Sequence, residues 1–207
     1  MEVIYNGVDI HQFTPGQLSV AHKPFRLLYV GRWSPLKGVA LFAPLMRELG
    51  TDFELRYTGS LTGTDCGSMP SNMHDVGRLR TQEAVVAEMR DADAFLFPSL
   101  SEGFGLVASE AMACGLPVIA TRGSSMYEVV DDGVTGILCR QGDVMAFAAA
   151  VRALEIDGAK RFTMARAARQ HAVNKLNKHR MVDAYVRLYE RCLGEKNEAS
   201  RRPGKHR

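Results

Sequence analysis

Ala94-Phe95-Leu96-Phe97-Pro98-Ser99-Leu100-Ser101-Glu102-Gly103-Phe104-Gly105-Leu106-Val107-Ala108-Ser109-Glu110 reads as a strand, a turn and the opening of a helix. Ala94 to Phe97 is continuously apolar, the signature of a strand buried on both faces of a parallel sheet. Pro98 and Ser99 end its pairing, which puts Glu102 at the carboxyl edge of that strand. Ligands of open parallel sheets bind along this edge. Gly103 and Gly105 let a loop backbone approach a ligand closely before a helix starts near Leu106. The helix N-terminus adds partial positive charge, which suits a phosphate. Glu110 falls about one turn into the helix. Two ionised carboxylates, each a two-oxygen acceptor suited to vicinal hydroxyls, therefore flank one anion-friendly turn.

Outward from this stretch, strand-like runs at Arg26 to Val30, Phe53 to Tyr57, Asn72 to Val76, Val118 to Thr121 and Gly136 to Cys139 alternate with helical patterns. Helices are predicted near Val39 to Leu49, Thr81 to Arg90, Leu106 to Cys114, Ser125 to Val130, Asp143 to Leu154, Ala159 to Ala172 and His179 to Leu193. Such alternation predicts an α/β fold with a Rossmann-like, doubly wound parallel sheet. Asp143 can cap a helix whose Val144, Phe147, Val151 and Leu154 share one face, and Gly115 with Pro117 stops the helix before it. Pro44 falls inside a helical pattern, so that helix is kinked or begins late.

A second constellation, Tyr29-Val30-Gly31-Arg32-Trp33-Ser34-Pro35-Leu36-Lys37-Gly38, follows the first internal strand. Arg32 and Lys37 come after a glycine turn and supply paired cations for negative charge on a departing diphosphate. The segments Gly59-Ser60-Leu61-Thr62-Gly63 and Gly77-Arg78-Leu79 also end strand runs and are expected to rim the same cleft, with Arg78 and Leu79 contacting a nucleobase. Asp91-Ala92-Asp93 precedes a buried strand, the wrong end for ligands, so a metal-binding role is rejected. There is no Gly-x-Gly-x-x-Gly opening, no phosphate loop ending in Gly-Lys-Ser/Thr and no Gly-x-Ser-x-Gly elbow. The six histidines are scattered, and His74, inside a strand run, is the one to check.

At 207 residues and 46% apolar composition, the chain can bury a real core. Its formal net charge of +3 comes from the end: Lys196, Arg201, Arg202, Lys205 and Arg207 oppose only Glu195 and Glu198, leaving the body neutral. Residues 194–207 are read as a disordered basic tail, and no nucleic acid partner is expected. No run approaches the roughly 20 apolar residues of a membrane span. Cys66, Cys114, Cys139 and Cys192 lack Cys-x-x-Cys spacing, which fits reduced thiols in a cytoplasmic protein. Residues 1–16 resemble a linker entering a domain at 17–193. The last helix carries two apolar stripes, Met181, Ala184, Tyr185, Leu188 and Cys192 on one and Val182, Val186, Tyr189 and Leu193 on the other. One sheet face cannot bury both, so the helix either sinks into a groove of its own domain or meets a partner.

In combination these residues resemble the retaining glycosyltransferases of the GT-B fold, specifically the large bacterial and plant family-four group. The resemblance runs from Val3-Ile4-Tyr5-Asn6-Gly7-Val8-Asp9 through Gly31-Arg32 and Lys37-Gly38 to Glu102 and Glu110. It continues through Ala111-Met112-Ala113-Cys114-Gly115-Leu116-Pro117-Val118, Glu128, Asp132-Gly133 and Gly136. It implies that Arg32 and Lys37 hold a donor diphosphate, that Glu110 takes ribose hydroxyls, and that Glu102 with Gly103, Phe104, Gly105 and Leu106 holds the transferred sugar. It further implies front-face attack with retention, no metal and no cofactor beyond the nucleoside-diphosphate sugar itself. Only the C-terminal, donor-binding half of a GT-B fold is matched, so transfer is expected to need an N-terminal acceptor domain or a partner subunit. Peripheral membrane contact is expected only through such a partner or the basic tail. The resemblance also gives the second stripe of the last helix a role, since family members send that helix back across the cleft. The alternative is a non-catalytic nucleotide-sugar or protein-docking module.

Overall fold

The computed structural model describes residues 2–16, 21–59 and 69–200. The glycine-containing run 60–63, Cys66 and residues 201–207 of the basic tail lie outside the described residues. Six strands form one sheet: β1 (Phe25–Tyr29), β2 (Phe53–Tyr57), β3 (Met73–Asp75), β4 (Ala94–Phe97), β5 (Val118–Thr121) and β6 (Gly136–Cys139). All neighbours pair in parallel, in the order β3-β2-β1-β4-β5-β6. The chain reverses direction across the sheet between β1 and β4, and the crevice outside the carboxyl ends at such a switch is where open α/β sheets take ligands.

Helices cover both faces: α1 (Phe42–Leu49), α2 (Gln82–Arg90), α3 (Leu106–Ala113), α4 (Met126–Val129), α5 (Val144–Ile156), α6 (Gly158–Lys175) and α7 (Lys178–Ser200). The strands divide their side chains between two cores. Leu28, Phe95, Phe97, Val118, Ala120 and Leu138 pack with α2, α3, α4 and α6. Phe25, Leu27, Tyr29, Leu55, Ala94, Leu96 and Ile119 pack with α1 and α5. This two-sided burial explains why β4 and β5 are apolar at nearly every position. Thr81, Asp143 and Asp157 each cap a helix by accepting from a backbone N–H in its first turn. Two 3-10 turns, Pro35–Lys37 and Val39–Leu41, precede α1. The helix therefore begins late, and Pro44 occupies its third position, where a missing N–H breaks no intrahelical bond.

Two boundaries differ from the sequence expectation. The core extends back to Val8, Ile10 and Phe13, so residue 16 does not mark its edge. Val8 N donates to Leu176 O at 2.6 Å and Lys178 N to Val8 O at 3.0 Å. Arg169 donates to the carbonyls of Phe13 (2.8 Å), Ala113 (2.8 Å) and Ile10 (3.0 Å), stitching this segment onto α3 and α6. At the other end α7 continues to Ser200, through residues assigned to the tail. Nor does α7 sink into its own domain: Val182, Val186, Tyr189 and Leu193 are all exposed, and Tyr185 of the first stripe is too.

Candidate functional site

The loops after β1 and β4 are pressed together at the carboxyl edge. Gly38 adopts φ +70°, and a Cβ there would stand 2.0 Å from Pro98 O. Leu100 N donates to Leu36 O at 2.9 Å. Lys37 Nζ pairs with Glu102 Oε1, which also accepts from Ser99 Oγ at 2.8 Å. The Glu102 backbone is anchored from β5: its N–H donates to Ser124 Oγ (3.1 Å), whose hydroxyl donates back to Glu102 O (2.6 Å). Ser124 has φ 51°, left-handed backbone that a non-glycine residue rarely adopts. Gly105, at φ +85°, precedes α3, and a Cβ there would lie 2.3 Å from Met126 Cε.

Beside this pair lies a cleft of about 1020 Å³ lined by residues following β1, β2 and β3. Gly31, Arg32, Arg78 and Leu79, all expected from the sequence, share its lining with Val30, Trp33, Ser34, Leu36, Thr58, Gly59, Asp75, Gly77 and Val85. Thr58 Oγ1 accepts from Gly31 N at 2.9 Å and lies 3.1 Å from Gly31 O. A Cβ at Gly59, φ +83°, would meet Gly31 O at 2.2 Å, so this edge of the cleft needs a bare backbone. Trp33 leans on Phe42 and Tyr57, with ring centroids 5.7 and 4.9 Å away. The Tyr29 hydroxyl donates to Arg32 O at 2.8 Å, and burial first, then the Glu102 charge, pushes its pKa up. The Arg32 side chain is exposed and makes no ion pair with any described residue.

Lys37, Glu102 and Glu110 stand outside the cleft lining. Lys37 and Glu102 are joined to each other at its side, as the two-loop arrangement requires. Glu110 projects from the second turn of α3, partly buried and without a hydrogen-bonding or ionic partner among the described residues. Burial pushes its carboxyl up to about 7. Phe104 packs against Tyr5, with centroids 6.1 Å apart, while Leu106 is exposed.

Asp91 and Asp93 lie at the amino end of β4, away from this edge. Asp93 accepts from Arg26 N (2.9 Å) and His22 N (3.1 Å), and Asp91 pairs with Arg26. Asp132 is likewise structural, accepting from Leu138 N at 2.9 Å and pairing with Arg122. His74 is exposed in β3, 3.7 Å from Glu54. Ser99, Ser124, Thr58 and Trp33 are site residues that motif reading passes over. Ser99 and Thr58 carry a usable signal, since each is a polar residue within two positions of the end of a strand. Ser124 carries none.

Residues 12–171 match the glycosyl transferases group 1 family. The chain belongs to that family. The group 1 chain is 35% identical to D-inositol 3-phosphate glycosyltransferase of Geodermatophilus obscurus over 97% of its own length and 49% of the relative's. It thus spans about half the length of the curated relatives it matches. Among solved structures it is similar to sucrose-phosphate synthase from Thermosynechococcus elongatus, with TM-score 0.83, 24% identity and coverage of 94% of this chain and 53% of that one. It is also similar to Anabaena HepE, solved in complex with UDP and glucose, with TM-score 0.80, 23% identity and coverage of 91% and 56%. These likenesses show a Rossmann-like fold matching that of GT-B glycosyltransferases. No helix among the described residues is long and apolar enough to cross a membrane.

Proposed function

We propose that this chain is the donor-binding half of a retaining glycosyltransferase and that it binds a nucleoside-diphosphate sugar at the carboxyl edge between β1 and β4. The observation that carries the proposal is the cleft itself: Arg32, unpaired among the described residues, lines it with Arg78 and Leu79, and the Lys37–Glu102 pair stands at its side. Arg32 and Lys37 neutralise the diphosphate, with the N–H groups of the Gly103–Leu106 turn and the α3 N-terminus adding to them. Arg78 and Leu79 contact the base, Glu110 accepts from the ribose hydroxyls, and Glu102 holds the hexose. In transfer, the bond between the anomeric carbon and the diphosphate oxygen breaks while the acceptor oxygen attacks from the same face. The acceptor's proton passes to the leaving phosphate. The acceptor site is supplied by a second domain or subunit. Buried free thiols at Cys114 and Cys139 suit a cytoplasmic setting.

Trp33, the sole tryptophan, lines the cleft and reports on its occupancy. Titrating the chain with uridine, adenosine and guanosine diphosphates and their glucose or mannose esters is expected to change its emission with at least one series. Lys37→Ala or Glu110→Ala is expected to weaken that binding about tenfold or more, the size of a lost charge-assisted contact. Absence of any binding by calorimetry overturns the proposal.

The exposed face of α7 favours a second reading, a non-catalytic docking module. Self-association by ultracentrifugation with no nucleotide affinity and no donor hydrolysis would select it.

A further inference from the structure

We infer that Ser99 is the positioning residue that keeps the Glu102 carboxylate in place when Lys37 is drawn onto the donor. The inference rests on the donor-binding reading above. The two oxygens of Glu102 are not equivalent: Oε1 receives both Lys37 Nζ and Ser99 Oγ, whereas Oε2 has no partner among the described residues. Lys37 carries two demands. A diphosphate presents more negative charge than a carboxylate, so it competes for the ammonium group once bound. Ser99 has no such second call on it.

The hydroxyl of Ser99 is committed by its surroundings. The residue is only 5% exposed, held at the end of β4 where Pro98 meets Gly38. Its Oγ lies 2.8 Å from Glu102 Oε1, 3.2 Å from Leu36 O and 3.3 Å from Ser101 O. A hydroxyl has one proton to give. The nearest acceptor is also the charged one, and Leu36 O already accepts from Leu100 N. The Glu102 backbone is secured separately by Ser124. Loss of the Ser99 hydroxyl therefore frees the carboxylate without releasing the loop, leaving Oε2 poorly aimed at a sugar hydroxyl.

The test compares the full chain with Ser99→Ala and Ser99→Thr, titrated with UDP and UDP-glucose, ADP and ADP-glucose, and GDP and GDP-mannose. In the series that binds, Ser99→Ala is expected to keep wild-type affinity for the bare diphosphate and to lose about tenfold for the sugar ester. Ser99→Thr is expected to restore it, and Ser99→Ala is expected to add nothing on a Glu102→Ala background, where the acceptor of the Ser99 hydroxyl is gone. A crystal structure of Ser99→Ala with the diphosphate bound is expected to show the Glu102 carboxylate displaced over an unmoved backbone. Equal losses for diphosphate and sugar ester, or an unchanged sugar-ester affinity, would overturn the inference. If the wild-type chain binds none of these ligands, the donor reading falls by itself. Crystal structures of Lys37→Met with and without Ser99→Ala, in which the ammonium group is absent, then decide on Ser99 alone: a carboxylate displaced only when the hydroxyl is also removed supports it, and an undisturbed one overturns it.

Discussion

Lys37 and Glu102 form an ion pair that joins the loops after β1 and β4, with side chains only 24% and 12% exposed. Neither group is free to relax fully into water. Removing one partner strands the other, so Lys37→Met or Glu102→Gln alone is expected to destabilise the chain by about 1 to 3 kcal/mol. The double variant is expected to cost less than the two single changes together, as urea unfolding of all four proteins will measure. Strict additivity would show that the pair contributes nothing as a pair.

Glu110 gives a pH signature. Its folded-state pKa, raised by burial to about 7 from 4.5, means that the folded chain holds this proton more tightly than the unfolded chain does. The stabilisation is complete below about 4.5 and is lost as pH rises through 7. Glu110→Gln is therefore expected to raise unfolding stability relative to wild type at pH 8, by about 2 kcal/mol after allowance for partial solvent access. The advantage is expected to vanish near pH 4.5. Chemical unfolding at the two pH values checks this, and a pH-independent difference would refute it.

The same carboxyl must ionise fully to accept two ribose hydroxyls. Nucleotide binding near pH 7 is expected to release a fraction of a proton, seen as a dependence of the calorimetric heat on buffer ionisation enthalpy. Glu110→Gln is expected to abolish that dependence.

Arg169 serves three carbonyls from Ile10, Phe13 and Ala113 with one guanidinium. Truncation to alanine leaves them without that donor, at an expected cost of about 3 kcal/mol. In a domain of this size that is a fall in Tm of roughly 6 to 12 °C. A fall of less than 2 °C, on the order of a surface substitution, would mean that water replaces the guanidinium.

Exposed positions of α7 are expected to behave oppositely. Val186→Ser and Tyr189→Ser touch side chains that are 47% and 61% exposed, so stability is expected to stay within about 0.5 kcal/mol of wild type. Thermal melts decide.

The sheet was largely legible because its central strands are short apolar runs with hard stops. Pro98 ends β4, and Pro117 precedes β5, so their bounds could be placed to the residue. β3 was less clear, since an edge strand with His74 and Asp75 exposed carries little hydrophobic pattern. Gly31, Arg32, Arg78 and Leu79 could be brought into one cleft because each follows a strand that ends on the same edge. The finer contacts were not legible. That Lys37 pairs with Glu102 depends on how closely Gly38 meets Pro98, and Ser124 sits in a backbone region that its side chain does not advertise. That Glu110 has no partner among the described residues is a property of its neighbours, which a motif does not record.

The reciprocal bonds of Val8 with Leu176 and Lys178 join the first and last segments of the domain at one point. A tension applied along α7 is delivered as shear on that junction, where Lys178 Nζ also pairs with Asp9, before it reaches β1 or β4. The amino-terminal segment also reaches the carboxyl edge itself, through Tyr5 packed on Phe104, so a displacement of the first residues is felt at the Gly103–Leu106 turn.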